Sequence, residues 1–275
     1  MLNNVIKNIS IIGCGWLGLP LAKFLFTKGY NIKGSTTSEN KLATLKLEGI
    51  VPFLIHLNPA LSGKQINNFL DSDLIIINIP PGRNALVDDY VLKMNHLNEA
   101  INNSRIKKVI FISSTSVYPE NNNWVDEDTE IDKNLVKALR MFTAEQVFVN
   151  NPNLQTTIVR MAGLIGLNRH PGRFFGGKQN IADGLSPVNL IHLTDCIGLI
   201  NAIIEQNFWN KIVNGVAPSH PTKQDFYGLA SKKYNGSEAL FLPKAGKHKI
   251  VCSNTNNKDL NYTYIVDDLM EWLDE

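Results

Sequence analysis

Short apolar runs with no polar alternation, each followed by a helix-like stretch, constrain this 275-residue chain more than any other feature. Leu-Ile-Ile-Ile-Asn-Ile at 74–79 and Val-Ile-Phe-Ile-Ser at 109–113 offer no face suited to water. Strands of that kind must be covered on both sides, which requires parallel pairing with helices above and below. The pattern predicts strands over Ile9–Ile12, Tyr30–Gly34, Val51–His56, Leu74–Ile79, Val109–Ser113 and Thr156–Arg160. Helices are predicted between them, over Trp16–Lys28, Asn40–Glu48, Asp88–Asn103 and Leu135–Asn150. Leu17, Leu21, Phe24 and Leu25 share one helix face, and Leu135, Leu139, Phe142 and Val149 share another. The fold class is therefore α/β, a doubly wound parallel sheet.

Beyond residue 165 the alternation loosens into helices over Thr194–Glu205, Thr222–Lys233 and Asp267–Leu273, the second capped by Thr222. Asp195 reads as a helix cap. Residues 1–166 read as a dinucleotide-binding domain and residues 167–275 as a smaller C-terminal substrate lobe, with 186–206 packing back on the first domain. Pro119–Asp132, Asn168–Gly184 and Ser253–Asn257 read as polar loops.

A glycine turn supplies the first chemistry. Gly13, Gly15 and Gly18 follow the first strand in G-x-G-x-x-G spacing. In a Rossmann turn the first glycine permits the bend, the second lets backbone approach a pyrophosphate, and the third seats helix against strand. Trp16 and Leu17 then belong to a helix N-terminus whose amides and partial positive charge suit phosphates. An NAD-selective site ends its second strand in an acid, but here the strand runs into Ser35, Thr36 and Thr37, with Glu39 late and Lys33 and Lys41 nearby. That chemistry favours NADP over NAD.

The segment Val-Ile-Phe-Ile-Ser-Ser-Thr-Ser-Val-Tyr-Pro-Glu at 109–120 resembles the extended short-chain dehydrogenase/reductase family, the NAD-dependent epimerase/dehydratase group, and especially its atypical members. The likeness takes in the glycine turn, Ile-Asn-Ile-Pro-Pro-Gly-Arg at 77–83, Ile-Val-Arg-Met-Ala-Gly-Leu-Ile-Gly at 158–166 and Asn-Leu-Ile-His-Leu-Thr-Asp-Cys at 189–196. It implies that Ser114 bonds the reacting substrate oxygen, that Pro80 and Pro81 with Ser113 border the cofactor, and that His192 lies on the segment closing the substrate site. Tyr118 matches a segment tyrosine that is not the family's proton donor. The resemblance also implies a homodimer built through two helices flanking the site, with no particular faces assigned.

The family's Tyr-x-x-x-Lys pair is missing. Alignment on Ala144–Phe148 puts Lys137 and Met141 at those positions, and no tyrosine occurs between Tyr118 and Tyr227. Three readings stay open: an oxidoreductase on a small carbonyl or hydroxyl compound, with Tyr118, Lys137, His192 or water as proton donor; a non-catalytic dinucleotide-binding sensor or scaffold; and a nucleotide-sugar epimerase or dehydratase.

Composition narrows the partners. A net charge of +2 with 19% charged residues excludes a field strong enough for nucleic acid or an anionic membrane, leaving a small-molecule substrate. Three scattered cysteines without a C-x-x-C pair suggest neither a disulfide framework nor a metal site and suit a reducing cytoplasm. Ile9–Phe26 imitates a membrane span, but its glycines, Pro20 and Lys23 interrupt it. The basic loop of Arg169, Arg173 and Lys178 offers one place for an anionic substrate.

Overall fold

The computed structural model describes residues 6–82 and 87–274. In chain order the strands and helices are β1 (Asn8–Ile12), α1 (Gly18–Thr27), β2 (Asn31–Thr36), α2 (Asn40–Leu47), β3 (Val51–Leu57), β4 (Leu61–Gly63), α3 (Ile66–Leu70), β5 (Leu74–Ile77), α4 (Val87–Asn102) and β6 (Lys108–Ser114). They continue with β7 (Trp124–Val125), α5 (Val136–Val149), β8 (Gln155–Met161), β9 (Gly163–Ile165), β10 (Leu190–His192), α6 (Leu193–Glu205), β11 (Ile212–Gly215), α7 (Lys223–Asn235), β12 (Ile250–Val251) and α8 (Leu269–Asp274).

The main sheet has eight strands in the order β11-β8-β6-β5-β1-β2-β3-β4. The pairings β1·β2, β1·β5, β2·β3 and β5·β6 are parallel, and β4 returns antiparallel on β3. Chain order reverses between β1 and β5, so the sheet is doubly wound and opens a crevice beyond the carboxyl ends of those two strands. The register puts Ile9 beside Ile32 and Leu74, and Ile75 beside Val109. All four residues of β5 are fully buried, as its unbroken apolar run requires.

By contacts the chain divides into two compact units: one formed by the residues up to Ser113 with Lys133–Val159 and Ile203–Ile212, the other by Ser114–Asp132, Arg160–Ala202 and the chain from Val213 onward. In the first, α1 buries Gly18, Leu21, Ala22 and Leu25. Each fully buried leucine contributes about 1.5–3 kcal/mol. In the second, Ile165, Val188, Leu190, Phe226, Leu269 and Leu273 form one apolar cluster, on which Trp272 packs.

Two expectations are corrected. The buried face of α5 is Ala138, Met141, Ala144, Glu145 and Phe148, whereas Leu135, Leu139 and Val149 are exposed. Large apolar side chains suggested the wrong stripe, because the small alanines leave close helix packing to their own side. The 119–132 loop contains β7, which pairs in parallel with β12.

Candidate functional site

At the reversal between β1 and β5, a cavity of about 270 Å³ is lined by Gly13, Gly15, Ser35, Thr36, Thr37, Lys41, Asn78, Ile79 and Pro80, with Ile55 and Leu57 giving it an apolar wall. The glycines serve three different needs. Gly13 has φ +102°, and a Cβ there would collide with the carbonyl of Asn78. A Cβ on Gly18 would collide with the carbonyl of Gly13, so this glycine sets how closely helix meets turn. Gly15 meets nothing within 4 Å of a built Cβ and lies open on the cavity.

Helix α1 starts here without a side-chain cap and with no acid in its first turn. Its positive end therefore has no protein anion of its own, which is the condition for receiving a phosphate. Asn78 braces the turn, its Nδ2 donating to the Gly13 carbonyl at 3.0 Å. Ser35 Oγ accepts the Gly13 amide at 3.1 Å, tying β2 to the same turn. Cys14 lies beneath, buried, with its thiol pushed up to about 12 by burial, so it is inert at neutral pH.

Of the residues expected at the cofactor, Leu17 and Gly18 are buried, the latter as the first residue of α1, and Trp16 stands in the turn before it. Pro81 and Gly82 follow Pro80 in the same loop, and Arg83 lies outside the described residues. Tyr90 donates from its hydroxyl to the Ile79 carbonyl at 2.8 Å and so anchors that loop. Ser113 is buried and donates to the fully buried Glu145 of α5. Asn78 and Tyr90 were missed in the sequence, because one reads as a strand end and the other as an ordinary helix position.

The catalytic candidates separate. Ser114 Oγ accepts the Ser116 amide and caps a 3₁₀ turn over Thr115–Val117, an arrangement that leaves its hydroxyl proton to donate. Tyr118 is corrected as a proton donor. It is 1% exposed, donates to Asn214 Oδ1 and accepts from Arg160 Nη1, both at 2.9 Å, and burial pushes its phenol up to about 12. Lys137 is exposed on the first turn of α5, and Met141 is buried. His192 is half-buried, with its pKa lowered by burial. Its Nδ1 accepts the Thr194 amide at 3.3 Å, which leaves the ring hydrogen of the neutral form on Nε2.

Asp195 is also corrected. Rather than capping α6, its fully buried carboxylate accepts Tyr262 Oη and the amides of Ile265 and Val266 at 2.7–3.0 Å. The 169–178 loop spends charge on itself, Arg173 donating to the Asn168 carbonyl and Lys178 to that of Phe174. Among the described residues no group of three or more His, Cys, Asp or Glu side chains could hold a metal, and no helix is long and apolar enough to cross a membrane.

Comparison with known proteins gives the following. No family model matches the chain. Protein YeeZ of Escherichia coli (strain K12) is 32% identical over 263 residues, covering 94% of this chain and 96% of that protein. The UDP-glucuronic acid 4-epimerase of Bacillus cereus, crystallised with NAD, superposes with a TM-score of 0.78 at 20% identity over 97% of this chain and 96% of that one. A short-chain dehydrogenase/reductase superfamily protein from Agrobacterium tumefaciens with bound NAD gives 0.78 at 15% identity over 97% and 96%.

These neighbours overturn the preference for NADP, since the cofactor in their crystals is NAD. The chain itself supplies a reason. Lys33, one of the two cations proposed for a 2′-phosphate, donates instead to the carbonyls of Asn68 and Asp71 at the end of α3.

Proposed function

The chain belongs to the epimerase/dehydratase group of the short-chain dehydrogenase/reductase family, with protein YeeZ among its relatives, and from that premise we propose that it is a NAD-dependent oxidoreductase acting on a small carbonyl or hydroxyl compound. One observation carries the reading: the cavity at the glycine turn lies open beside an uncapped helix end. The turn at 13–18 would hold the diphosphate, and Ser35, Thr36 and Thr37 the adenosine ribose, from which a missing acid withholds one usual contact. When bound, NAD supplies hydride acceptance and return.

The chain's own residues bind, orient and move the proton. Ser114 has a hydroxyl hydrogen to donate to the reacting oxygen, and the neutral imidazole of His192 has a donor at Nε2. With Tyr118 locked in the interior and Lys137 in solvent, His192 and water are the remaining proton sources. A placed proton donor contributes about 10²- to 10⁴-fold, so turnover through water alone is slow.

The exposed Lys137 and buried Met141 favour a second reading, a non-catalytic NAD sensor. Titration with NADH and NADPH under nicotinamide fluorescence tests the cofactor, with NADH expected to bind tighter. Loss of NADH absorbance against aldehydes, ketones and imines then separates enzyme from sensor. Turnover that falls in Ser114→Ala supports the oxidoreductase, whereas silence over the whole panel leaves only the sensor.

A further inference from the structure

We propose that the Asn-Gly pair of Asn235 and Gly236, where α7 ends, is a site of spontaneous covalent modification at which the side-chain amide is lost and aspartate or isoaspartate takes its place. In the reaction the Gly236 nitrogen attacks Asn235 Cγ. The Cγ–Nδ2 bond breaks, and the proton given up by the Gly236 nitrogen leaves with the amide as ammonia. Water then opens the succinimide at one of its two carbonyls. Opening at Cγ yields aspartate, and opening at the main-chain carbonyl yields isoaspartate, whose chain runs on through the former side chain. Water is the one co-reactant, so the site stands apart from the oxidoreductase reading.

Two Asn-Gly pairs occur in the sequence, at 214–215 and 235–236, and the fold treats them oppositely. Glycine matters because it lacks a Cβ, which leaves its nitrogen unhindered and its backbone free to turn. Asn235, Gly236, Ser237 and Glu238 are all exposed, so water reaches the second pair. The Ser237 amide donates to Asn235 Oδ1 at 3.2 Å. That bond folds the side chain forward over the peptide whose nitrogen attacks it, and draws electron density away from Cγ. Gly236 has φ +76°, and its amide makes the last bond of the helix, to the Lys232 carbonyl at 2.9 Å. This bond withholds the nitrogen only while the helix end is closed, and exposed helix ends open at little cost in free energy.

Asn214 and Gly215 are the internal contrast. Asn214 is fully buried in β11, its Oδ1 accepting Tyr118 Oη at 2.9 Å and its Nδ2 donating to the Cys252 carbonyl at 2.8 Å. Its own amide donates to Glu127 Oε1 at 2.8 Å, so neither side chain nor backbone is free to close a ring. Modification at 235 also reaches the loop at 169–178. A Cβ built on Gly172 would overlap the Ala230 carbonyl, and one built on Gly176 the Asn235 amide, so the loop lies close on α7 at two glycines. Conversion replaces that amide by a charged carboxylate without a donor, and isoaspartate lengthens the main chain as well. One of the two contacts is lost, and the loop carrying Arg173 and Lys178 loosens.

The test ages the full chain at mildly alkaline pH, as wild type and as Asn235→Gln, whose extra methylene disfavours ring closure, and maps both by tryptic mass spectrometry. Tryptic peptides 234–244 and 212–223 each contain a single asparagine, one from each pair. The mass gain of amide to acid should appear in 234–244 at least about tenfold faster than in 212–223, and part of the product should accept methyl groups from a protein isoaspartyl methyltransferase. In urea the two peptides should convert at similar rates. No gain in 234–244, equal rates in the folded protein, or a 212–223 peptide that stays unreactive in urea overturns the proposal. Brief digestion of the native protein reads the loop: cleavage after Arg173 and Lys178 should quicken severalfold in aged wild type and stay unchanged in aged Asn235→Gln. Unchanged cleavage in fully converted wild type refutes the link to the loop.

Discussion

Replacing Gly15 by alanine separates binding from folding. Its backbone is not in the left-handed region, and an added Cβ meets nothing within 4 Å, so the variant folds without strain. Removing a glycine from the unfolded chain should even stabilise it by about 0.4–1 kcal/mol, raising the unfolding midpoint by roughly 1–3 °C. The same methyl stands on the wall of the cavity at the turn, where a diphosphate must approach the backbone. NADH affinity should fall at least tenfold, about 1.4 kcal/mol. Gly13→Ala is the contrasting case: φ +102° and the Asn78 carbonyl leave no room, so stability should fall by about 2–4 kcal/mol, a midpoint loss of roughly 5–10 °C. Scanning fluorimetry reads the midpoints, and fluorescence titration reads NADH affinity. A Gly15→Ala protein that folds and binds NADH as tightly as the wild type would refute the reasoning.

Other residues make separate predictions. Asp195→Ala strands the buried donors of Tyr262, Ile265 and Val266 and should cost about 2–3 kcal/mol in urea unfolding; a loss under about 0.5 kcal/mol would mean the carboxylate is dispensable. Tyr118→Phe removes the bonds to Asn214 and Arg160 and should lower stability by about 1–3 kcal/mol while sparing kcat, whereas a large kcat loss in a stable variant would restore the phenol to catalysis. Burial lowers the pKa of His170, His192 and His220 from 6.5, so below that value the unfolded chain takes up protons that the native state resists. The stability these groups support is intact above about pH 6.5 and is lost on acidification toward their lowered values. The unfolding midpoint should drop between pH 7.5 and 5.5, less steeply in His220→Gln, and a midpoint that rises on acidification would contradict this.

How far the sequence could be read follows from where the information lies. Strands β1, β5 and β6 were legible because residues buried on both faces must be apolar throughout, and the glycine turn because each glycine answers a local backbone demand. The face of α5 was not, since alanines that pack closely are outranked in any apolar count by leucines left in solvent. Tyr118 read as a reactive group in a reactive segment, yet its environment comes from Arg160 and Asn214, distant in sequence. The same holds for Asp195, whose partners lie some seventy residues on, and for Lys33, whose charge is met by carbonyls at the end of α3. Local chemistry is visible along a chain; what satisfies or blocks it is not.

The central claim is that the turn from Gly13 to Gly18 holds the diphosphate of NAD. A crystal structure of the protein grown with NAD measures this directly. The account predicts density for the diphosphate against the amides of that turn, with the adenosine beside Ser35–Thr37. Cofactor bound elsewhere, or the turn left empty in crystals at saturating NAD, would contradict it.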